Sequence, residues 1–113
     1  MAIREKIVDD VAIIKVRGTL TGGDETTEVH ESVKSLIADG IHKIILDLAK
    51  VKWMNSHGLG MLMACYSTVT NANSKIGIAR VSEKVKSLMN ITKVNTLFDN
   101  FESIDKAVAS FRN

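Results

Sequence analysis

Apolar and polar residues alternate along the chain in runs short enough to separate strands from helices. Ile3 to Val8 and Val11 to Arg17 read as two strands joined at Asp9-Asp10, residue types that favour a tight turn. In the second strand Ala12, Ile14 and Val16 share one face, while Lys15 and Arg17 share the other. Gly18 to Gly23 is expected to be a loop. Asp24 to Asp39 has Val29, Val33, Leu36 and Ile37 at helical spacing, acidic residues in its first turn, and Gly40 as a stop. Lys43 to Leu48 is a nearly continuous aliphatic run, which suits a strand buried on both faces of a mainly parallel sheet.

Ala49 to Asn55 is expected to be a loop carrying Trp53, followed by a helix opening at Ser56-His57-Gly58. Leu59, Leu62, Met63, Tyr66 and Val69 form its inner stripe, and Asn71 to Ser74 ends it. Lys75 to Val81 reads as a strand, and Ser82 caps a short helix with Val85, Leu88 and Met89 inward. An extended piece near Leu97-Phe98 is the least marked element. Ser103 then caps a last helix that turns Ile104, Ala107, Val108 and Phe111 to one side. The order β-β-α-β-α-β-α-β-α predicts an α/β fold, with a mixed sheet of about four or five strands and helices packed on it.

Composition narrows the classes. The 113 residues are enough for one core, so residues 1–113 are expected to form a single domain. Fifteen basic and thirteen acidic residues leave a net charge of +2, and aromatics are 4% of the chain with no interleaving among basic clusters. That balance argues against a nucleic-acid partner. Cys65 is the single cysteine, so no intrachain disulfide can form, and its apolar neighbours suggest a buried small hydrophobe. A cytoplasmic location fits a single reduced cysteine and an N-terminus that turns charged at once. No apolar run approaches the ~20 residues that span a bilayer, so direct membrane insertion is not expected.

The informative segment runs from Leu46 to Gly60 (Leu-Asp-Leu-Ala-Lys-Val-Lys-Trp-Met-Asn-Ser-His-Gly-Leu-Gly). A buried strand runs out, and Ser56 sits where a helix begins, at the strand end where α/β sheets gather their ligands. Serine there has a plain role as an N-cap. It also has a functional one, because a helix N-terminus tolerates or stabilises a phosphate. Gly58 and Gly60 are expected to leave backbone uncovered for a partner. Phosphorylation of Ser56 would add roughly two negative charges to this surface without unfolding the domain.

Asn55-Ser56-His57-Gly58-Leu59-Gly60, after Leu46-Asp47-Leu48 and Trp53-Met54, resembles the anti-sigma factor antagonists of the STAS domain family. Their pattern here is Asp-Ser-Ser/Thr-Gly-Leu-Gly. The likeness extends to Arg17-Gly18-Thr19-Leu20, to Val81 to Val85, to Leu88 to Asn95, and to Phe101 to Ala107. It implies a STAS-type mixed sheet and a non-enzymatic binding protein without a cofactor. The implied partners are an anti-sigma factor that is itself a serine kinase, and a PP2C-type phosphatase that reverses phosphorylation at Ser56. The implied contact surface comprises Thr19, Asp24, Asn55, Ser56, His57, Gly58, Leu59 and Gly60. Asn55 departs from the family aspartate and removes a charge beside the acceptor. His57 replaces a small hydroxyl residue. The alternative within the same family is a constitutively binding subunit of a lipid-transport ATPase, or a stressosome-like scaffold.

Other chemistries fit less well. Adjacent Ser56 and His57 lack the geometry of a nucleophile and its base, and no Gly-x-Ser-x-Gly surrounds them. His57 as a phosphocarrier competes with a plain surface role. His30, His42 and His57 have no metal-ligand spacing and read as surface residues. Trp53 and Met54 are either core plugs or exposed anchors, with Met54 the better core candidate. Met61, Met63 and Met89 are expected in the core. Lys84, Lys86 and Lys93 read as a solvated helix face or the edge of a contact surface.

Overall fold

Period-two alternation in the second strand decides the layering. In the structure, a computed structural model that describes residues 3–112, β1 (Ile3–Val8) and β2 (Val11–Leu20) form the expected antiparallel pair. They are followed by α1 (Asp24–Ala38), β3 (Lys43–Met54), α2 (Ser56–Asn71), β4 (Lys75–Ala79) and α3 (Glu83–Thr92). A 3-10 turn at Val94–Leu97, β5 (Asp99–Phe101) and α4 (Ile104–Ser110) complete the chain. The sheet has five strands in the order β1-β2-β3-β4-β5, and every pairing after the first is parallel.

That order has a geometric consequence. Each parallel connection carries one helix, and crossovers of a single hand along a sheet that grows in one direction put all their helices on one face. Ala12, Ile14, Val16 and Leu20 accordingly pack with Val29 and Val33 of α1, Leu62 and Cys65 of α2, and Val85 and Met89 of α3. The opposite face is left to α4, whose Ala107 and Val108, with Phe111, cover Val11, Ile13, Ile45 and Ala79. Ser82 and Ser103 cap α3 and α4 as expected, accepting from Val85 N at 3.3 Å and Lys106 N at 3.1 Å.

Several boundaries differ from the sequence reading. The expected loop at Ala49 to Asn55 is nearly all strand, and the first half of the one at Gly18 to Gly23 is strand too. β2 continues to Leu20 and β3 to Met54, paired through two register shifts that absorb the irregular spacing. Strand β4 stops at Ala79, where Arg80 turns to a φ of 59°. Leu97 lies in the 3-10 turn, and the last strand is the short triplet Asp99–Phe101, whose two leading polar residues are held by pairing to β4 rather than by their own propensity. Met61 and Met89 are buried, but Met63 is 49% exposed, because it falls on the outer side of α2. Met54 is buried. Trp53 is half-buried, with the Lys84 ammonium 5.0 Å from its ring centroid.

One polar pair lies within this packing. Asp47 is 1% exposed on β3 and accepts both Nε and Nη2 of Arg80 at 3.1 and 3.0 Å, plus Ala49 N at 3.1 Å. The hydrogen bonds to Asp47 raise the Arg80 guanidinium further above its already high ordinary value. Arg80→Gln leaves the buried carboxylate short of its bidentate partner, and is expected to cost about 2 kcal/mol of stability in urea unfolding. An unchanged midpoint would mean that water replaces the guanidinium at no cost.

Cys65 is buried, with its thiol donating to Met61 Sδ at 3.5 Å, and burial pushes its pKa up to about 12. The unfolded chain releases this proton near pH 8.5, so the contribution to stability is complete below that pH and lost as pH rises through the folded value. Unfolding midpoints measured between pH 8 and 11 should fall more for the native protein than for Cys65→Ala.

Candidate functional site

Asn55, not Ser56, caps α2. Its backbone is extended (φ −111°, ψ −165°), and its Oδ1 accepts from His57 N at 3.0 Å and Gly58 N at 3.3 Å. Its Nδ2 donates to the Thr21 carbonyl at 3.2 Å, and its own N–H donates to the Leu20 carbonyl at 3.2 Å. One side chain thus satisfies two first-turn N–H groups and ties the end of β2 to the start of α2. With the cap taken, Ser56 is the first helical residue. It is exposed, and its hydroxyl has no hydrogen-bond partner among the described residues. The first turn of α2 holds no acidic residue, whereas α1, α3 and α4 each begin with at least one. The positive end of this helix therefore has no carboxylate on its own first turn.

The segment after β2 lies against the same point. Gly22 has a φ of +104°, and a side chain there would meet the His57 ring at 3.0 Å. Its N–H donates to Thr26 Oγ1 at 2.9 Å, closing the turn into α1. Gly22, Thr26, Thr27, His30, Glu31, His57 and Met61 line an open cleft of about 270 Å³ between α1 and the start of α2.

The expected site residues divide in two. Thr19, Asp24, Ser56, His57 and Gly60 are exposed and Asn55 is half-exposed; Asn55 to Gly60 form the start of α2, Thr19 lies near the end of β2 and Asp24 opens α1. Gly58 and Leu59 are buried, which corrects their expected place on a contact surface. A Cβ on Gly58 would collide with the Leu20 carbonyl and sit 2.8 Å from Met54 Cβ, so this glycine lets α2 seat closely on the sheet. Nothing lies within 4 Å of the equivalent position on Gly60. Sequence reasoning placed the loop around Thr19 to Asp24 beside the site but assigned no role to Thr21 or Gly22. The signal for Gly22 was the Gly22-Gly23 pair, but the part played by the Thr21 carbonyl has no signature in residue type.

His30 is half-buried rather than a plain surface residue, with Nε2 3.1 Å from Thr68 Oγ1 on α2. Desolvation, then the Lys34 charge, lowers its pKa below the ordinary value. His42 is exposed and lies 2.8 Å from Ser74 Oγ. Among the described residues no group of three His, Cys, Asp or Glu is placed to hold a metal, and no helix is long and apolar enough to cross a membrane.

The model of the STAS domain family matches residues 2–107. An anti-sigma-B factor antagonist of Staphylococcus epidermidis is 31% identical over 91 residues, covering 79% of this chain and 82% of that protein. A proposed anti-sigma factor antagonist from Thermotoga maritima superposes with a TM-score of 0.89 at 22% identity, over 98% of this chain and 95% of its own. The unphosphorylated form of the anti-sigma factor antagonist SpoIIAA gives 0.80 at 14% identity, over 99% and 100% of the two chains. Its phosphorylated form, from Bacillus, gives 0.76 at 14% identity over 98% and 100%. At these identities the structural likenesses speak to fold alone. The family match over nearly the whole length and the staphylococcal relative go further: the chain belongs to the STAS domain family.

Proposed function

We propose that this protein is an anti-sigma factor antagonist that binds a serine-kinase anti-sigma factor and is released by phosphorylation of Ser56. The docking surface is formed by Thr19, Asp24, Asn55, Ser56, His57 and Gly60, at the junction of β2, α1 and α2. A PP2C-type phosphatase returns the protein to its binding form. The observation that carries this reading is the Ser56 hydroxyl, exposed and unpartnered because Asn55 has taken the cap. The names of its relatives support it, as does the existence of SpoIIAA in unphosphorylated and phosphorylated forms.

The physical basis is charge in a desolvated contact. Unphosphorylated, the surface offers neutral polar groups that a partner can hydrogen-bond. A phosphate there is a dianion that must lose water when the partner docks, and without a paired cation this costs several kcal/mol. The helix dipole meanwhile accommodates the phosphate in the free protein, so the modification weakens binding without unfolding the domain.

Incubation with a serine-kinase anti-sigma factor and ATP, followed by mass spectrometry, is expected to place phosphate on Ser56, with no label in Ser56→Ala. Ser56→Asp should weaken binding of that kinase by about 2–4 kcal/mol, roughly 30- to 900-fold, while Ser56→Ala binds as well as the native protein. Phosphate mapped to His57 would replace this reading with that of a phosphocarrier.

Asn55 makes a separate prediction. Asn55→Asp keeps the acceptor for His57 N and Gly58 N but loses the donor to Thr21, so amide exchange should accelerate between Thr21 and Gly23 with the helix intact. Asn55→Ala loses both roles and should cost about 1–2 kcal/mol in urea unfolding. Equal protection of this segment in native and Asn55→Asp proteins would show that the Thr21 tether does not hold it.

A further inference from the structure

On the face that α1, α2 and α3 leave bare, α4 covers only the apolar positions Val11, Ile13, Ile45 and Ala79. Farther along the strands, Arg4 of β1, Lys15 and Arg17 of β2, and Lys50 and Lys52 of β3 line an open cleft of about 650 Å³ together with Gly18. We propose that this face docks an extended acidic segment of a partner protein, one that carries carboxylates at alternate residues.

Charge is the first argument. The side chains that line the cleft are all cationic, the Glu25 carboxylate lies near it beside Gly18, and the ion pairs among the described residues use Lys34, Lys43, Arg80, Lys106 and Arg112, none of these five cations. Asp47, which faces Lys15 across the strands, is already bound by Arg80 and Ala49 N. With these five set apart, the other ten basic residues of the chain are outnumbered by thirteen acidic ones, so a modest overall charge hides a strongly positive face.

Register is the second. Arg4 lies directly opposite Lys15, and Arg17 directly opposite Lys50. Like charges in direct cross-strand register destabilise a sheet, and both pairs gain from an anion laid over them. The column Lys15–Arg17 repeats every second residue along β2, about 6.6–6.8 Å apart on a strand, while Lys50 and Lys52 on β3 flank a register shift. An extended segment with acidic residues at alternate positions has the same repeat, so its carboxylates meet a column in step.

The occupant follows from what the face lacks. It presents no aromatic ring on which bases of a single-stranded nucleic acid could stack. The exposed large apolar residues Ile7, Met63 and Ile91 do not line it, so it offers no anchor for a lipid surface. It also lies across the sheet from the helix that carries Ser56, and stands independently of the role proposed for that residue.

The test uses a fluorescently labelled short peptide alternating Glu and Ser, with anisotropy measured at low and physiological salt. Binding should weaken with salt, and should be several-fold weaker for a peptide of the same composition with its glutamates in one block. Arg17→Gln/Lys50→Gln should reduce affinity about tenfold, whereas Lys34→Gln/Lys106→Gln, which removes the same charge elsewhere, should change it less than about twofold. The free Arg17→Gln/Lys50→Gln protein should also melt at a slightly higher temperature than the native one, and a lower melting temperature would remove the repulsion argument. Equal losses in the two double variants, or equal binding of the two peptides, would overturn the proposal. Tighter binding of an oligo-dT strand or of phosphatidylglycerol vesicles through Arg17 and Lys50 would overturn the choice of occupant.

Discussion

The arrangement at the α2 N-terminus depends on one side-chain amide. Asn55 sits where a twelve-residue strand gives way to a helix, and such a junction leaves first-turn N–H groups without partners. Its oxygen takes two of them and its nitrogen holds the Thr21 carbonyl. A cap of this kind is worth about 1 kcal/mol. Its larger effect is to relieve Ser56 of that duty. A serine that caps has its oxygen facing the helix end, whereas a serine one position later can present it to a visiting protein. The amide also does what the family aspartate does not, since a carboxylate has no proton to give Thr21. The charge absent beside Ser56 is thus accompanied by a gained cross-link.

The rest of the molecule supports that junction by being one-sided. Because the sheet grows strand by strand in one direction, its three crossover helices share a face, and α1 and α2 become neighbours there. Their first turns then meet around Gly22, Thr26 and His57, beside the cap. Gly58 sets the depth at which α2 lies on β2 and β3, because any side chain at that position would strike the Leu20 carbonyl. The same topology leaves the reverse face covered by a single seven-residue helix, and the basic cleft occupies what remains.

Much of this could be read from residue patterns, and the exceptions share a cause. The helices, the hairpin and the caps at Ser82 and Ser103 announce themselves through periodicity and hydroxyl placement. The extension of β3 was hidden because Lys50 and Lys52 alternate with a buried Val51, the mark of a strand wet on one side, while the loop reading followed their charge. Asp99–Phe101 becomes a strand only through its neighbour. Met63 matched the helical repeat but falls outside the arc that the sheet covers. At the α2 N-terminus, Ser56 drew attention by its position. The exchange of duties with Asn55 could not be, since both residues are good caps and only backbone geometry decides between them. Asp47 looked like an interruption in an apolar run. Its partner Arg80 lies 33 positions away, beyond any local pattern.

The margins of the sheet have a consequence for life in a crowded solution. On one side it ends in a strand of three residues, where the Asn100 amide is bonded to the carbonyls of Phe98 and Asn95. On the other it ends in β1, which alternates Arg4, Glu5 and Lys6 along a border where an identical strand would bring like charges side by side. Neither border offers a long, neutral template for another copy to extend. The sheet is thereby kept from stacking onto another copy of itself.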